Sequence, residues 1–116
     1  MNKYRMRLYE FNISEAYKPT GVKVNDGEFY ITDHFLDRIK QRGMTGRDIS
    51  NIIHRAIDLH KDKIVSMVAS DFVIKTKQGP GVGISKILQP NDTFKYLLVT
   101  AHPEIRVGPH QDVIVI

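Results

Sequence analysis

Ile31-Thr32-Asp33-His34-Phe35-Leu36-Asp37-Arg38-Ile39-Lys40-Gln41-Arg42-Gly43-Met44, running on to His54, decides how this chain folds. It reads as two consecutive helices joined by a tight turn at Gly43. Thr32 or Asp33 caps the first helix, its side-chain oxygen accepting from backbone N–H groups that the first turn leaves free. At about 100° per residue, Phe35, Leu36 and Ile39 share one side, and His34, Arg38 and Gln41 line the opposite side. A core-packing helix usually shows Glu or Lys on its outer side. This one sets an imidazole and a guanidinium at i and i+4, close enough to act on one ligand. The second helix starts after Thr45, and Asp48 three residues on makes a capping box with Asp in place of the usual Glu. Its apolar stripe is Ile49, Ile52, Ile53, Ala56 and Ile57. His54 sits just off that stripe, on the Ser50 side, as if at the half-covered rim of a cleft.

Outward from the helices the period changes. Residues 3–9 alternate, with Tyr4, Met6 and Leu8 on one face and Lys3, Arg5 and Arg7 on the other, which predicts a strand. Three cations on one face suit phosphate; a solvated face that guards a sheet edge is their plainer use. Residues 11–20 have room for one short helical turn ahead of Pro19, and 21–27 carry turn residues ending in Asn25-Asp26-Gly27. Residues 28–31 read as a short strand leading into the first helix. Beyond Leu59, strands are predicted over 63–68, 71–77, 82–88, 93–101 and 111–116, with a hairpin turn near Ala69 and Ser70 and a two-proline loop over 102–109. The run 93–101 is the most apolar and should be a central strand. The expected fold is α+β over residues 1–116 as one domain, two consecutive helices packed on one face of an antiparallel β-sheet. The other face would be a groove open to a ligand.

Composition narrows the function. The hydrophobic fraction of 41% and charged fraction of 26% are those of an ordinary globular chain, not of a disordered one. With no cysteine, a disulfide scaffold, a thiolate nucleophile and a Cys-ligated zinc site are excluded. No apolar run approaches the ~18 residues of a membrane span. Met1-Asn2-Lys3-Tyr4-Arg5 leads into no apolar signal core, so the expected location is the cytoplasm. The net charge of +4 suits a polyanionic partner: RNA, DNA or an acidic protein.

Several chemistries lack their parts. His34 has no second histidine at metal-ligand offset, and His54 and His60 point different ways, so no metal or other cofactor is expected. Gly79-Pro80-Gly81-Val82-Gly83 lacks the Lys-Ser/Thr tail of a nucleotide loop. No Gly-x-Ser-x-Gly elbow exists. What remains is acid–base work by histidine, whose ordinary pKa near 6.5 keeps both protonation states accessible. Two histidines divide the labour in RNA cleavage: one removes the 2′-OH proton, the other protonates the departing 5′-oxygen. A guanidinium beside them stabilises the charge that builds on phosphorus. His102, next to Pro103 at the end of the apolar strand, lies near the same cleft in this reading. A satisfied surface histidine is the plainer role for each imidazole.

The span from Ile31 to His54 resembles the RegB family of endoribonucleases from T-even bacteriophages. The matching residues are His34, Asp37, Arg38, Gln41, Arg42 and His54, with the same spacing between the histidines. The stretch 83–94, with Lys86, Gln89-Pro90-Asn91 and Phe94, is similar to that family's β-hairpin around a Lys-Pro-Asn turn. The resemblance implies a RelE/YoeB-like fold and metal-independent cleavage of single-stranded messenger RNA to a 2′,3′-cyclic phosphate. It implies catalytic roles for His34, His54 and Arg38, RNA contacts through Arg42 and Lys86, to which the residues add Arg5, Arg7 and His102, and help from the ribosome or a ribosomal protein. The chain departs from the family in its amino-terminal segment and its tail, which leaves the recognised sequence open. Two alternatives stand beside it: a noncatalytic phage protein that docks on host transcription or RNA machinery, and a RelE-like toxin ribonuclease held by an antitoxin.

Overall fold

The computed structural model describes residues 17–68 and 70–116. The strand expected over residues 3–9, and with it Arg5 and Arg7, lies outside the described residues. In chain order the elements are β1 (Lys18–Val24), β2 (Gly27–Ile31), α1 (Asp33–Gln41), α2 (Gly46–Ser66), β3 (Asp71–Lys75), β4 (Gly81–Leu88), β5 (Phe94–His102) and β6 (Asp112–Val115). The fold is α+β: among the described residues two helices pack on a six-stranded sheet of order β1-β2-β5-β4-β3-β6. As expected, β5 is central.

The sheet is mixed, which corrects the all-antiparallel expectation. β3, β4 and β5 form an antiparallel meander. β2 pairs β5 in parallel, and so does β6 with β3. Parallel neighbours need long crossovers. The first is the helical pair, which carries the chain from β2 over one face to β3. The second is the connection from β5 to β6, which crosses the other face. Gly81 points to that other face, opposite Val82 and Ile84, and a Cβ there would collide with Ile105 of the connection. A bare backbone at Gly81 is what lets the connection lie this close. The face expected to be an open groove is therefore partly covered.

Two local readings also change. Residues 18–24 form a strand, at the edge of the sheet among the described residues, where turn residues were expected over 21–27. Most of the helical turn expected ahead of Pro19 lies outside the described residues. Pro19 and Gly21 look like breakers, but proline is tolerated on an edge strand. Gly21, at φ 86°, accompanies the register shift between Pro19 and Lys23. Residues 63–66 continue α2 and do not begin a strand. The helix kinks at His60 (φ −138°, ψ 32°) and then resumes. At 100° per residue Ile64 returns to within about 20° of Ile53, and it is fully buried. The helical stripe thus runs on beneath the short alternation in the sequence.

Both helix starts follow the sequence. Thr32 Oγ1 accepts from Phe35 N at 3.0 Å. Thr45 Oγ1 accepts from Asp48 N at 3.2 Å, and Thr45 N donates to Asp48 Oδ2 at 2.8 Å, completing the capping box. Between the two helices the turn passes through Gly43 at φ 74°. Thr45→Ala should lower stability by about 1 kcal/mol, read as a shifted urea midpoint at unchanged slope.

Between the helices and the sheet lie Phe35, Ile39, Ile49, Ile53 and Ala56 on one side and Ile74, Ile84, Leu98 and Ile114 on the other. Phe29 stacks on Tyr96 at 4.7 Å, and Phe72 meets Tyr96 edge-on at 6.4 Å. Under this cluster sits a buried polar knot. Lys86 Nζ donates to the carbonyls of Ile64, Val65 and Met67 at 2.8, 3.0 and 2.9 Å, and pairs with Asp26 Oδ2 at 3.2 Å. It thereby caps the last turn of α2, whose carbonyls have no partner within the helix. Tyr96 donates to Asp26 at 2.9 Å. Burial first, then that hydrogen bond and the charge of Asp26, push the Tyr96 phenol well above its ordinary range, so its hydroxyl stays a donor. Among the described residues, no helix is long and apolar enough to cross a membrane.

Candidate active site

The site arises where β2 stops and β5 does not. The parallel ladder ends at Tyr30 with Leu97, and β5 continues to His102 with no strand on that side among the described residues. A bulge falls in the same place: Gly83 pairs with Thr100 but Ile84 pairs with Leu98, which leaves Val99 as the extra residue. Bulges beside a free edge re-aim side chains. α1 lies against this gap. Arg42 Nη1 reaches across to Ala101 O at 2.8 Å and Thr100 Oγ1 at 3.4 Å, satisfying a carbonyl that β2 does not reach.

Between α1 and β5 a cavity of ≈ 300 Å³ remains. His34, Arg38 and Arg42 form one wall, Thr100 and Ala101 the other, and Tyr17 and Thr32 stand beside them. The helical wheel explains the first wall. Taking Phe35 as the centre of the buried side, Arg42 lies about 20° away, Arg38 about 60° and His34 about 100°. These residues run along the flank of the buried stripe, which corrects the placing of His34 and Arg38 on the side opposite to it. Hence they reach the cavity while Lys40 and Asp37 face solvent.

Arg38 Nη1 lies 3.4 Å from His34 Nε2. A guanidinium has only donors, so a hydrogen bond here requires the tautomer in which Nε2 accepts and the ring proton sits on Nδ1. That is the state a general base requires. His34 is in the first turn of α1, where the positive end of the helix favours an anion. Asp33, beside it, is held by Lys18 at 3.0 Å on the exposed surface, a pair worth little in stability.

The other sequence-predicted site residues stand elsewhere. His54 is exposed on α2, about 140° from the middle of its apolar stripe, and does not line this cavity. It was expected to be half covered at a cleft rim, and it is not. Lys86 is corrected from an RNA contact to a structural residue: its side chain is 0% exposed and its three protons go to α2 carbonyls. His102 is exposed, and its Nδ1 accepts from Glu104 N at 3.0 Å in the turn after β5. Thr100, Ala101 and Tyr17 were not singled out from the sequence. Thr100 enters through the bulge and the end of the β2 ladder, which no local pattern announces, and Tyr17 precedes β1 in a segment without periodicity.

Among the described residues, no group of three or more His, Asp or Glu side chains gathers as a metal site. Comparison with known protein families, with curated proteins and with solved structures gives no match.

Proposed function

We propose that this chain is an endoribonuclease of RelE/YoeB-like fold that cleaves single-stranded RNA without a metal, in the manner of the RegB family it resembles. The observation that carries the reading is the contact of His34 Nε2 with the Arg38 guanidinium at the wall of a cavity that Arg42 also lines. In this mechanism Arg38 turns from His34 Nε2 to the phosphate, and the freed Nε2 lone pair takes the proton of a ribose 2′-OH. The 2′-oxygen attacks the adjacent phosphorus, and the bond to the 5′-oxygen breaks. Arg38 holds the non-bridging oxygens and offsets their growing charge. The 5′-oxygen leaves with a proton, and the products are a 2′,3′-cyclic phosphate and a 5′-hydroxyl. His54 is the donor of that proton by resemblance. Because it stands on the exposed side of α2, it serves only a strand that leaves the cavity across that helix. The source would be a phage acting in the cytoplasm of its host, with the ribosome as the place where messenger RNA is met.

The separation of His54 from the cavity favours one second reading, a noncatalytic protein that binds RNA or the host machinery around it. Incubating purified protein with RNA in EDTA separates the two. The nuclease reading expects cyclic phosphate ends and no cutting of the all-2′-deoxy strand, since DNA lacks the attacking hydroxyl. Intact RNA, or ends bearing 3′-hydroxyl and 5′-phosphate, would overturn it.

A further inference from the structure

The His34 cavity does not end at Arg42. Arg42 also lines a second depression of ≈ 400 Å³, and Gln78, on the far side of that one, lines a third of ≈ 520 Å³. One stretch of chain supplies a wall to all three in turn. Leu98 to Ala101 border the first, Pro103 the second, and Glu104 to Val107 the third. The opposite wall passes from α1 to the start of α2 and then to the turn between β3 and β4.

The three compartments differ in chemistry. The first is cationic through Arg38 and Arg42. The second is apolar, with Met44, Ile52, Pro80 and Pro103, and carries the amides of Asn51 and Gln78. Its acid, Asp48, is already engaged by Thr45 N. The third is cationic again: Lys75, Lys77 and Arg106 outnumber Glu104. The walls are also built rather than slack. Ile105 N donates to Gly79 O at 3.0 Å, and Thr76 Oγ1 donates to Pro80 O at 2.7 Å, tying the β3–β4 turn to the crossing connection.

We infer that these three compartments are one track for a single strand of RNA longer than a dinucleotide. This rests on the nuclease reading above and extends it from a cleavage point to a substrate class. Cations at both ends take phosphates. The apolar middle, with two amides, takes an unstacked base, whose face is apolar and whose edge hydrogen-bonds. A paired duplex keeps its bases stacked inside and has none to offer that middle compartment. A run of acidic side chains alone would match the ends but brings no planar group to the centre, whereas in a nucleic acid strand a base alternates with every phosphate.

The test uses 2′-O-methyl RNA, which cannot be cleaved, as a dimer and as an octamer, with binding followed by fluorescence anisotropy across salt. The octamer is expected to bind at least about tenfold more tightly than the dimer, through phosphate contacts the dimer does not reach. The exposed pair Lys77→Ala with Arg106→Ala should remove most of that advantage. It should also flatten the log–log salt slope by about 0.7 per lost cation. An octamer bound equally well by the double variant overturns the track, whatever the cleavage assay shows. Displacement of the octamer by polyglutamate as readily as by unlabelled octamer overturns it too. A chain that shows the length and salt dependence yet leaves ordinary RNA uncut keeps the track and removes the nuclease.

Discussion

His34→Ala is expected to slow RNA cleavage by on the order of 10²–10⁴ while the protein melts as before. The size follows from the role: general-base catalysis supplies about that factor when the group is placed at the hydroxyl. The unchanged melt follows from the surroundings. His34 is exposed, and its contact is the long one with Arg38, so truncation should move stability by no more than about 0.5 kcal/mol. Arg38→Lys makes a sharper companion. It keeps a positive charge but loses the planar fork that holds two oxygens at once, so activity should fall even though the charge is preserved. Single-turnover cleavage of a short RNA, set beside a thermal melt, measures both. Wild-type cleavage by His34→Ala would end the assignment of this cavity as the active site. His54→Ala belongs in the same experiment: a loss equal to that of His34→Ala means that the strand bridges both helices.

Lys86→Met should do the reverse, with a large loss of stability. Methionine matches the length of the lysine stem but donates nothing. Three carbonyls at the end of α2 then lose their donor, and Asp26 keeps only the Tyr96 hydroxyl in a largely closed site. Breaking a buried pair from one side costs about 3–5 kcal/mol, a large share of the 5–15 kcal/mol that holds a typical domain together. Urea unfolding followed by helix circular dichroism gives the number. A loss below about 1 kcal/mol would mean that water replaces the ammonium at those carbonyls. The ring of Phe94, 4.5 Å from Nζ, adds to what methionine does not replace.

These two residues also mark where sequence reading succeeds and where it stops. The helices, the Thr45–Asp48 box, the turn at Gly43 and the central place of β5 are written in neighbouring residues. So is the meeting of His34 with Arg38, because i and i+4 on a helix are neighbours in any fold. The sheet order is not local. Whether β5 lies beside β2 or beyond it depends on two crossovers, and nothing between residues 93 and 101 announces either. The RNA contact that the resemblance implies for Lys86 fails for the same reason, since only the arrival of the end of α2 above it reveals carbonyls that need a donor. Residues 63–66 read as strand because their short alternation masks the helical phase that joins Ile64 to Ile53. His54 was placed from the wheel alone, and one position past Ile53 is enough to turn a side chain from rim to solvent.

The borders of the sheet carry a last consequence. An open sheet offers a row of unused amide groups at each flank, a template on which a second copy of the chain can add strands without limit. In β1 that row is interrupted: Pro19 has no N–H, the bulge breaks the repeat, and Lys18 and Lys23 bring like charges to any approaching copy. At the other flank β6 spans only four residues, and Lys63 engages the Val113 carbonyl at 3.4 Å. Among the described residues both margins of the sheet thus resist fibre-like stacking, and the central strands keep their β-prone apolar runs out of reach of other copies.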